Sequence, residues 1–434
     1  MPTKQSAHAP LPQQAYDMKL RHQLMTQCKV YLKAHPDRQS MTWAQVVKLC
    51  DTGSDKDITR ELQLYTANVP NTPAYWSRRC GDLKAMFDQK CGATVFYTLS
   101  AADNQWQSLH RHMPRQGLDG HGRPDSREAQ RNRHRDVVEN PHIADSYFVQ
   151  RTALFRKFVL KNMLLSDWEW DRFEWQKRGS CHAHGCAKFE ALSNGANTLR
   201  AMTVCKKGVR SALALSEEKR LGAAIARVVA KDKKSDADTK KHFRLAQRLK
   251  AVVQARERRT TNGDFDTWEA SHHERIVQGE KARWAITSYV DWLITSFNES
   301  GNCPDDWVSK TPYPCSTNFA ERTATFEESE ALYQDVVNEV ERHSYHSNYC
   351  LRNGQCRFDY PRAPCAHTSI VFTVKDPLLY MARIGIDVCT ARNDPLLNSH
   401  SKIQMKAWLA NVDMQIILDE ARAAEYVCKY ATKV

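Results

Sequence analysis

Two histidines separated by one residue are the sharpest chemical feature of the sequence. His182 and His184 lie in residues 181–188, which we expect to form one strand of a β-hairpin over residues 172–188. Side chains alternate between the two faces of a strand, so both imidazoles point to the same face and can share one metal ion. A His-x-His pair also arises by chance on protein surfaces. Further metal ligands on the neighbouring strand would favour a metal site over chance.

The strand that precedes the histidines offers two further ligands. We centre the predicted turn on Gly179. Gln176 then lies opposite His182, and Glu174 lies opposite His184, all on one face of the hairpin. Two imidazole nitrogens, a carboxylate oxygen and an amide oxygen with open positions suit Mg²⁺ or Mn²⁺ at a phosphate better than a closed zinc site.

A pair of tyrosines near the C-terminal end could supply a nucleophile. Tyr426 and Tyr430 are four residues apart in a segment of helix-favouring residues, which places both phenols on one helix face. Lys429 and Lys433 repeat the same spacing and can contact phosphodiesters. A divalent ion on the scissile phosphate would activate it for attack by a phenol. The alternative is an amphipathic helix that packs its tyrosines into the core.

A second group of metal-ligand residues combines thiols with imidazoles. Thiolates and imidazoles at such short spacing suit tetrahedral Zn²⁺, which would hold together a loop that has little core of its own. The proposed ligands are His343, His346, Cys350 and Cys356, with Cys365 and His367 as alternatives. The competing interpretation is that they are ordinary loop residues.

The composition favours a polyanionic partner. The chain has 434 residues, a net charge of +13 and 14 cysteines. A surplus of Lys and Arg suits nucleic acid, because each phosphate contact releases counterions. No apolar run approaches the ~20 residues of a membrane helix, so we expect no membrane association. Cysteines in such a chain are mostly buried thiols or metal ligands.

The pattern of the chain predicts an α+β fold. We expect a central antiparallel sheet that contains residues 94–100 and the histidine hairpin, with flanking helices and the tyrosine helix laid across the histidine strand. Residues 206–258, rich in Lys, Arg and Ala, indicate an exposed helical insertion or a partly disordered arm. The expected divisions are a mostly helical region 1–90, the first half of the main domain with the His pair 91–204, a basic helical insertion or linker 205–282, a helix with the Cys/His group 283–370, and the second half of the main domain with the tyrosine helix 371–434.

Several stretches together resemble the Helitron replication-initiator domain, also called the Helitron helicase-like domain, a rolling-circle endonuclease of the His-hydrophobe-His class. The resemblance covers roughly residues 75–204 and 283–434. Ala183 is smaller than the hydrophobe usual between the two histidines. The matching stretches are 96–103 with Trp106, 172–176, 178–180, 356–361, 392–395, 408–413 and 426–433.

The resemblance implies a mechanism and a partner. One tyrosine attacks a phosphate of single-stranded DNA, which leaves a 5′-phosphotyrosine and a free 3′-hydroxyl, and the second tyrosine permits strand transfer. It also implies a Cys/His-rich stretch that holds structural zinc, a nuclear location and a C-terminally linked helicase domain. The sequence stops one residue after Lys433, so we expect a domain fragment or a truncated copy without the helicase.

Polar residues in the matching stretches are candidates for contact with DNA. We expect Arg178, Arg392, Asn393 and Lys433 to bind its phosphates or bases, while buried hydrogen bonding is an equal alternative for Asn393. The competing function is a non-catalytic single-stranded DNA-binding protein derived from a transposase.

Overall fold

The computed structural model describes the chain in several ranges. They are residues 11–52, 61–62, 64–69, 72–90, 92–124, 126–175, 179–189, 198–231, 235–299, 301, 325–344, 346, 350–375 and 383–418. The chain divides into two compact units, residues 1–92 with 420–434 and residues 93–419. In the described ranges, no helix is both long and apolar enough to span a membrane.

Helices and strands alternate along the chain in the manner of an α+β protein. The helices are α1 (Leu11–Ala34), α2 (Trp43–Thr52), α3 (Pro73–Gln89), α4 (Gln107–His110), α5 (Arg127–Glu139), α6 (Pro141–Phe155), α7 (Thr198–Leu215), α8 (Glu217–Val229), α9 (Asp236–Thr261), α10 (Phe265–Leu293), α11 (Phe326–Val340) and α12 (Lys402–Trp408). The strands are β1 (Val95–Ser100), β2 (Ser166–Trp175), β3 (Cys181–Phe189), β4 (Leu351–Arg352), β5 (Gln355–Cys356), β6 (Ser369–Lys375), β7 (Arg383–Cys389) and β8 (Val412–Ile416).

The first unit is helical where it is described, as the sequence pattern of residues 17–90 indicates. Cys28 of α1 and Val46 of α2 form a small apolar core. The start of α3 is fixed by its N-cap, because the Thr72 hydroxyl accepts a hydrogen bond from the backbone N–H of Tyr75 at 3.1 Å. Such a cap satisfies one of the backbone donors that have no partner in the first helical turn.

A four-stranded antiparallel sheet is the centre of the second unit. Its strand order is β2-β3-β1-β8, and every neighbouring pair is antiparallel. The predicted antiparallel sheet that holds residues 94–100 and the histidine hairpin is therefore confirmed. Helix α6 continues through residues 156–163 as a π-helical segment, which leads directly into β2.

One face of this sheet is apolar because every second residue of its strands is. Val95, Tyr97 and Leu99 of β1 are completely buried. They join a core with Phe148 of α6 and Trp408 of α12. Burial of side chains of this size contributes about 1.5–3 kcal/mol each. The core therefore anchors the sheet from one side and leaves its other face for polar side chains.

Tyr97 and Gly185 form a close cross-strand pair on the apolar face. A Cβ atom added at Gly185 would lie 2.2 Å from the Tyr97 Cζ atom. Only glycine allows the tyrosine ring to lie across β3 at this point. The residue that follows His184 is thus set by packing on the opposite face of the same strand.

Four helices form what we call the helical arm, residues 198–293. Helices α7 and α10 cross where Gly208 and Gly279 meet, since a Cβ atom at Gly208 would lie 3.1 Å from the Gly279 Cα atom. Helices α8 and α9 share a small core of their own, which includes Leu221 and Leu245. The region 206–258 is thus a helical insertion over its described residues.

Candidate functional site

The His pair lies on the polar face of the central sheet. His182 and His184 of β3 are each 8% exposed. Their ring centroids are 4.6 Å apart, with the rings at 75° to each other. As the alternation of a strand predicts, the two imidazoles are neighbours on one face. Two nitrogen donors are therefore held close together on a rigid element.

The register of the hairpin differs from the sequence prediction by two residues. Glu174 pairs with His182, and Arg172 pairs with His184. The predicted pairing of Glu174 with His184 is therefore wrong. The hairpin is centred on residue 178 and not on Gly179, because Trp175 pairs with Cys181. A shift by two residues keeps the same side chains on the same face.

Glu174 reaches the second histidine diagonally across the strands. Its Oε1 atom lies 3.2 Å from the Nε2 atom of His184. Long side chains commonly bridge such diagonal positions. Two ligand atoms bound at right angles to one octahedral ion lie about 3 Å apart when each is about 2.1 Å from it. The Glu174 and His184 atoms therefore have the separation that a shared Mg²⁺ or Mn²⁺ requires.

His182 is oriented by a chain of hydrogen bonds on its other side. The Ser100 Oγ atom lies 3.0 Å from the His182 Nδ1 atom. The same hydroxyl donates to the Asn411 Oδ1 atom at 3.4 Å. When the single hydroxyl proton is directed to Asn411, Ser100 accepts the Nδ1 proton of His182. That tautomer leaves the Nε2 lone pair of His182 for a metal ion.

This chain of hydrogen bonds ends at the buried carboxyl group of Glu341. Asn411 donates to the Glu341 Oε2 atom at 3.3 Å, and the Val412 backbone N–H donates to Oε1 at 2.7 Å. Asn398 also donates to Oε2, at 3.3 Å. Burial raises the pKa of Glu341 well above its usual range, and the hydrogen bonds from Val412 and Asn398 partly oppose that shift. The Asn411 amide nitrogen also donates to the Val340 carbonyl at 2.9 Å, so its two bonds turn the amide oxygen towards Ser100.

Burial also keeps His182 neutral. Desolvation, with a smaller contribution from the neighbouring His184, lowers the pKa of His182 to about 3. A neutral imidazole is the form that binds metals. His182 therefore does not need to lose a proton at neutral pH before it can act as a ligand.

Arg172 and Asp413 also belong to the polar face, and the sequence prediction did not place Arg172 in the site. Arg172 pairs with His184 on β2. Asp413 on β8 pairs with Thr98, which pairs with His184, so its carboxyl is two strands away, at about 10 Å. Burial raises the pKa of Asp413 to about 6. The sequence could have indicated Arg172, because residues two apart on a strand share a face and Arg172 precedes Glu174 by two residues.

The Cys/His group forms a second candidate metal centre. One ligand atom from each of the four residues lies within 4.8 Å of all the others, and these residues are His343, His346, Cys350 and Cys356. Within the described ranges, this is the only group of three or more His, Cys, Asp or Glu side chains found that close. His182, His184 and Glu174 are thus drawn together less tightly than the Cys/His group.

The separations within this group match a tetrahedral ion. The Cys356 Sγ atom lies 3.4 Å from the His343 Nε2 atom, and the Cys350 Sγ atom lies 3.5 Å from the His346 Nδ1 atom. A sulfur at about 2.3 Å and a nitrogen at about 2.05 Å from one tetrahedral zinc lie about 3.6 Å apart. The group could therefore hold a metal such as zinc. Cys365, an alternative ligand, instead donates to the His367 carbonyl at 2.9 Å.

The two candidate metal centres are joined by polar and aromatic contacts. The His343 ring stacks on Tyr360 with centroids 4.8 Å apart. The Tyr360 hydroxyl donates to Asn398 at 3.1 Å, and Asn398 donates to Glu341 as described above. The loop that holds the Cys/His group is therefore linked through Asn398 to the Glu341 carboxyl group, which also binds Asn411.

Arg392 and Asn393 are committed to contacts within the protein. Arg392 is buried, and its guanidinium donates to the backbone carbonyls of Asp394 and Leu397. Asn393 exchanges two hydrogen bonds of 2.7 Å with the backbone of Asn298. Because these groups are satisfied inside a loop, the predicted contact of Arg392 and Asn393 with DNA finds no support, and the buried hydrogen-bonding alternative accounts for both.

The remaining predicted site residues lie outside the described ranges. They are Gln176, Arg178, Tyr426, Lys429, Tyr430 and Lys433. The prediction that a tyrosine helix faces the His pair therefore stays a prediction.

Fold and site define a class of protein, an α+β domain with a buried His pair on the polar face of an antiparallel sheet. Residues 13–186 match the family model described as the Helitron helicase-like domain at the N-terminus. This part of the chain, which includes both histidines, is Helitron-related, as the resemblance implied. The match starts before residue 75 and ends before residue 204, and it does not reach residues 283–434. Searches of curated proteins and of solved structures found no match.

Proposed function

We propose that the protein nicks and joins single-stranded DNA in Helitron-type rolling-circle transposition, with a divalent metal ion and a tyrosine nucleophile. The observation that carries the proposal is the buried pair of His182 and His184 with Glu174, inside a segment that matches the Helitron-like family model. A Helitron-related domain with a DNA substrate also leads us to propose a nuclear location.

His182, His184 and Glu174 would hold Mg²⁺ or Mn²⁺, with Gln176 as a further oxygen ligand. The ion would withdraw negative charge from the scissile phosphate and fix its orientation. Ser100 holds His182 in the tautomer that presents Nε2. Arg172, beside His184, would bind a second oxygen of the same phosphate through its planar guanidinium.

In the proposed reaction the phenol oxygen of Tyr426 or Tyr430 attacks phosphorus. The new bond joins the tyrosine to the 5′-phosphate, the bond from phosphorus to the 3′-oxygen breaks, and the phenol proton ends on that oxygen. Lys429 and Lys433 would hold the DNA backbone beside the reacting group. We favour Tyr426 for the first cleavage, because it lies farther from the end of the predicted helix.

Metal-dependent covalent attachment of DNA tests the proposal. A single-stranded oligonucleotide labelled at its 3′ end keeps the label on the fragment that becomes linked to tyrosine. The wild-type protein should give a labelled band in a denaturing gel with Mg²⁺ or Mn²⁺ and none with a chelator. The Tyr426→Phe/Tyr430→Phe double variant should give none, whereas Tyr75→Phe should match the wild type. Adduct formation by the double variant would refute the tyrosine mechanism.

The same assay separates catalysis from simple binding. His182→Ala/His184→Ala should abolish the adduct but retain binding of the oligonucleotide, while the exposed control His134→Ala should keep both. If the wild-type protein binds single-stranded DNA but forms no adduct with any divalent ion, the alternative of a non-catalytic binding protein replaces the enzyme.

We also propose that the Cys/His group binds structural zinc. It lies in a stretch with little regular structure, where β4 and β5 have two residues each. A tetrahedral ion would close this loop and fix the position of Tyr360 against Asn398. Its role is to stabilise the fold and not to contact the reacting phosphate.

A further inference from the structure

The positive charge of the chain is concentrated in the first three helices of the helical arm, residues 198–261. Residues 198–261 contain 18 Lys and Arg against 6 Asp and Glu, a net charge of +12, while the whole chain has +13. The rest of the protein is thus almost neutral. A uniformly basic surface would not produce this distribution, so the positive charge is a property of residues 198–261 themselves.

Three acidic side chains of α8 and α9 make contacts within the arm. Glu217 of α8 accepts from Arg248 of α9 at 2.8 Å, and Glu218 pairs with Arg256 at 2.9 Å. Asp238 caps the start of α9 through a reciprocal pair of hydrogen bonds with Ser235. The contacts of Glu217 and Glu218 hold α8 and α9 together, and the Asp238 carboxylate is bound at the N-terminal end of α9.

The outward side of α9 is mostly basic, and Glu257 is the one acidic residue between Lys240 and Arg258. Leu245 and Leu249 pack towards α8, and the opposite side of the helix is exposed over its length. The residues on that side, which we call the α9 stripe, are Lys240, Arg244, Gln247, Lys250, Gln254 and Arg258, all exposed. There is no Asp or Glu from residue 239 to residue 256. Four cations therefore follow one side of a straight helix.

The dimensions of the α9 stripe suit a nucleic-acid backbone. From Lys240 to Arg258 the helix rises about 27 Å, which equals about eight base pairs of duplex DNA at 3.4 Å per base pair. The close crossing of Gly208 and Gly279 packs α7 against α10, whose Val290 and Leu293 join the core of the sheet. The α9 stripe is thus part of a packed arrangement of helices and not of an extended tail.

The aromatic content favours duplex over single-stranded DNA. Proteins that bind single strands without sequence preference usually stack bases on several aromatic side chains. Residues 198–261 contain one aromatic residue of the Phe, Trp and Tyr type, Phe243. We propose that the α9 stripe binds the phosphate backbone of duplex DNA. The choice of DNA as the polyanion rests on the proposed function.

Salt-dependent binding to a blunt 20-base-pair duplex tests the proposal. The stripe variant is Lys240→Gln/Arg244→Gln/Lys250→Gln/Arg258→Gln, and the control removes four exposed cations from α1 (Lys19→Gln/Arg21→Gln/Lys29→Gln/Lys33→Gln). The slope of log K against log salt should become less steep by about 0.9 per lost phosphate contact, so by about 2–4 in the stripe variant. Affinity at about 0.1 M salt should fall at least tenfold, and less in the control. An equal change in both variants would overturn the proposal.

A second variant and a second ligand test whether the charge of the α9 stripe and the duplex form of the DNA both matter. Gln247→Glu/Gln254→Glu adds negative charge to the α9 stripe and keeps all its cations, and it should also weaken duplex binding at least fivefold. Binding of a 20-nucleotide oligothymidine should change less than threefold in either variant, and an equal loss there would refute the preference for duplex. A short single-stranded oligonucleotide should still form its covalent adduct. If wild-type protein forms no adduct, the proposed nicking fails while the duplex result stands by itself.

Discussion

Replacement of Gly185 by alanine should damage the sheet that carries the His pair. The new Cβ atom would lie 2.2 Å from Tyr97 Cζ, 2.5 Å from its hydroxyl oxygen and 2.6 Å from Cε1. Carbon atoms in good contact are about 3.5–4.0 Å apart. The ring and the strand must therefore separate by more than about 1 Å. Tyr97 is completely buried, so the ring cannot swing into solvent.

The expected cost is large for one methyl group. Overpacking of a well-packed core costs about 1–3 kcal/mol and occasionally more. The overlap involves three atoms of one rigid ring, so we expect Gly185→Ala to lower the free energy of unfolding by about 2–4 kcal/mol. Because His184 is the preceding residue, the displaced strand should also reduce the yield of the metal-dependent DNA adduct.

Urea unfolding followed by tryptophan fluorescence measures this cost. The matched control is Gly222→Ala in α8, where nothing lies within 4 Å of the new Cβ atom. That control should stabilise the protein by up to about 1 kcal/mol, since alanine favours a helix. A glycine-to-alanine substitution should thus lower the free energy of unfolding at Gly185 and raise it at Gly222.

A double variant identifies the tyrosine ring as the cause. Tyr97→Leu removes the atoms that clash, so Gly185→Ala should cost at least about 1 kcal/mol less in that background, an interaction typical of residues in contact. Strictly additive effects, or a Gly185→Ala variant as stable as the wild type, would refute the assignment of the strain to this pair.

Three further outcomes follow from the structure. Cys350→Ser should remove bound zinc from purified protein, whereas Cys365→Ser should retain it, as measured by metal analysis, and equal zinc content in both would contradict the proposed ligand set. Burial lowers the pKa of His400 to about 4 from an ordinary value of 6.5, so its neutral form stabilises the fold above pH 6.5 and this contribution falls as the pH drops towards 4. The loss at pH 5 is on the order of 2 kcal/mol, and urea unfolding at pH 7 and 5 should show a smaller difference in His400→Gln. Glu341→Gln should lower the free energy of unfolding by about 1–3 kcal/mol, because an amide N–H would face a hydrogen-bond donor, while the exposed control Glu339→Gln should leave it within about 0.5 kcal/mol, as is usual for surface substitutions.

The features that the sequence predicted correctly depend on neighbours close in the chain. The alternation of residues 94–100 and of the hairpin strands predicted the sheet, because a period of two is a local property. Spacing alone brought His343, His346, Cys350 and Cys356 into consideration. The predicted hairpin register was wrong by two residues. Moving the centre of the hairpin by one residue, from 178 to 179, changes every pair of facing residues by two, and the sequence of the turn does not fix that centre.

The features that the sequence did not predict depend on distant segments. Ser100 and Asn411 are 311 residues apart, and no local pattern indicates that they meet beside His182. The burial of Arg392 was not predicted for a related reason. A polar residue in a loop looks the same in sequence whether it faces solvent or bonds to backbone carbonyls, and only the folded loop distinguishes the two.

The position of β1 in the sheet has a consequence during synthesis on the ribosome. This central strand ends at Ser100, but its neighbour β8 ends at Ile416. At about 5–20 residues per second, roughly 15–65 s pass before that neighbour has been made. One edge of β1 therefore stays unpaired during this time, and unpaired strand edges readily form hydrogen bonds with other chains and aggregate. We expect the nascent protein to need protection by chaperones over this interval, and we expect slow elongation to lower its soluble yield.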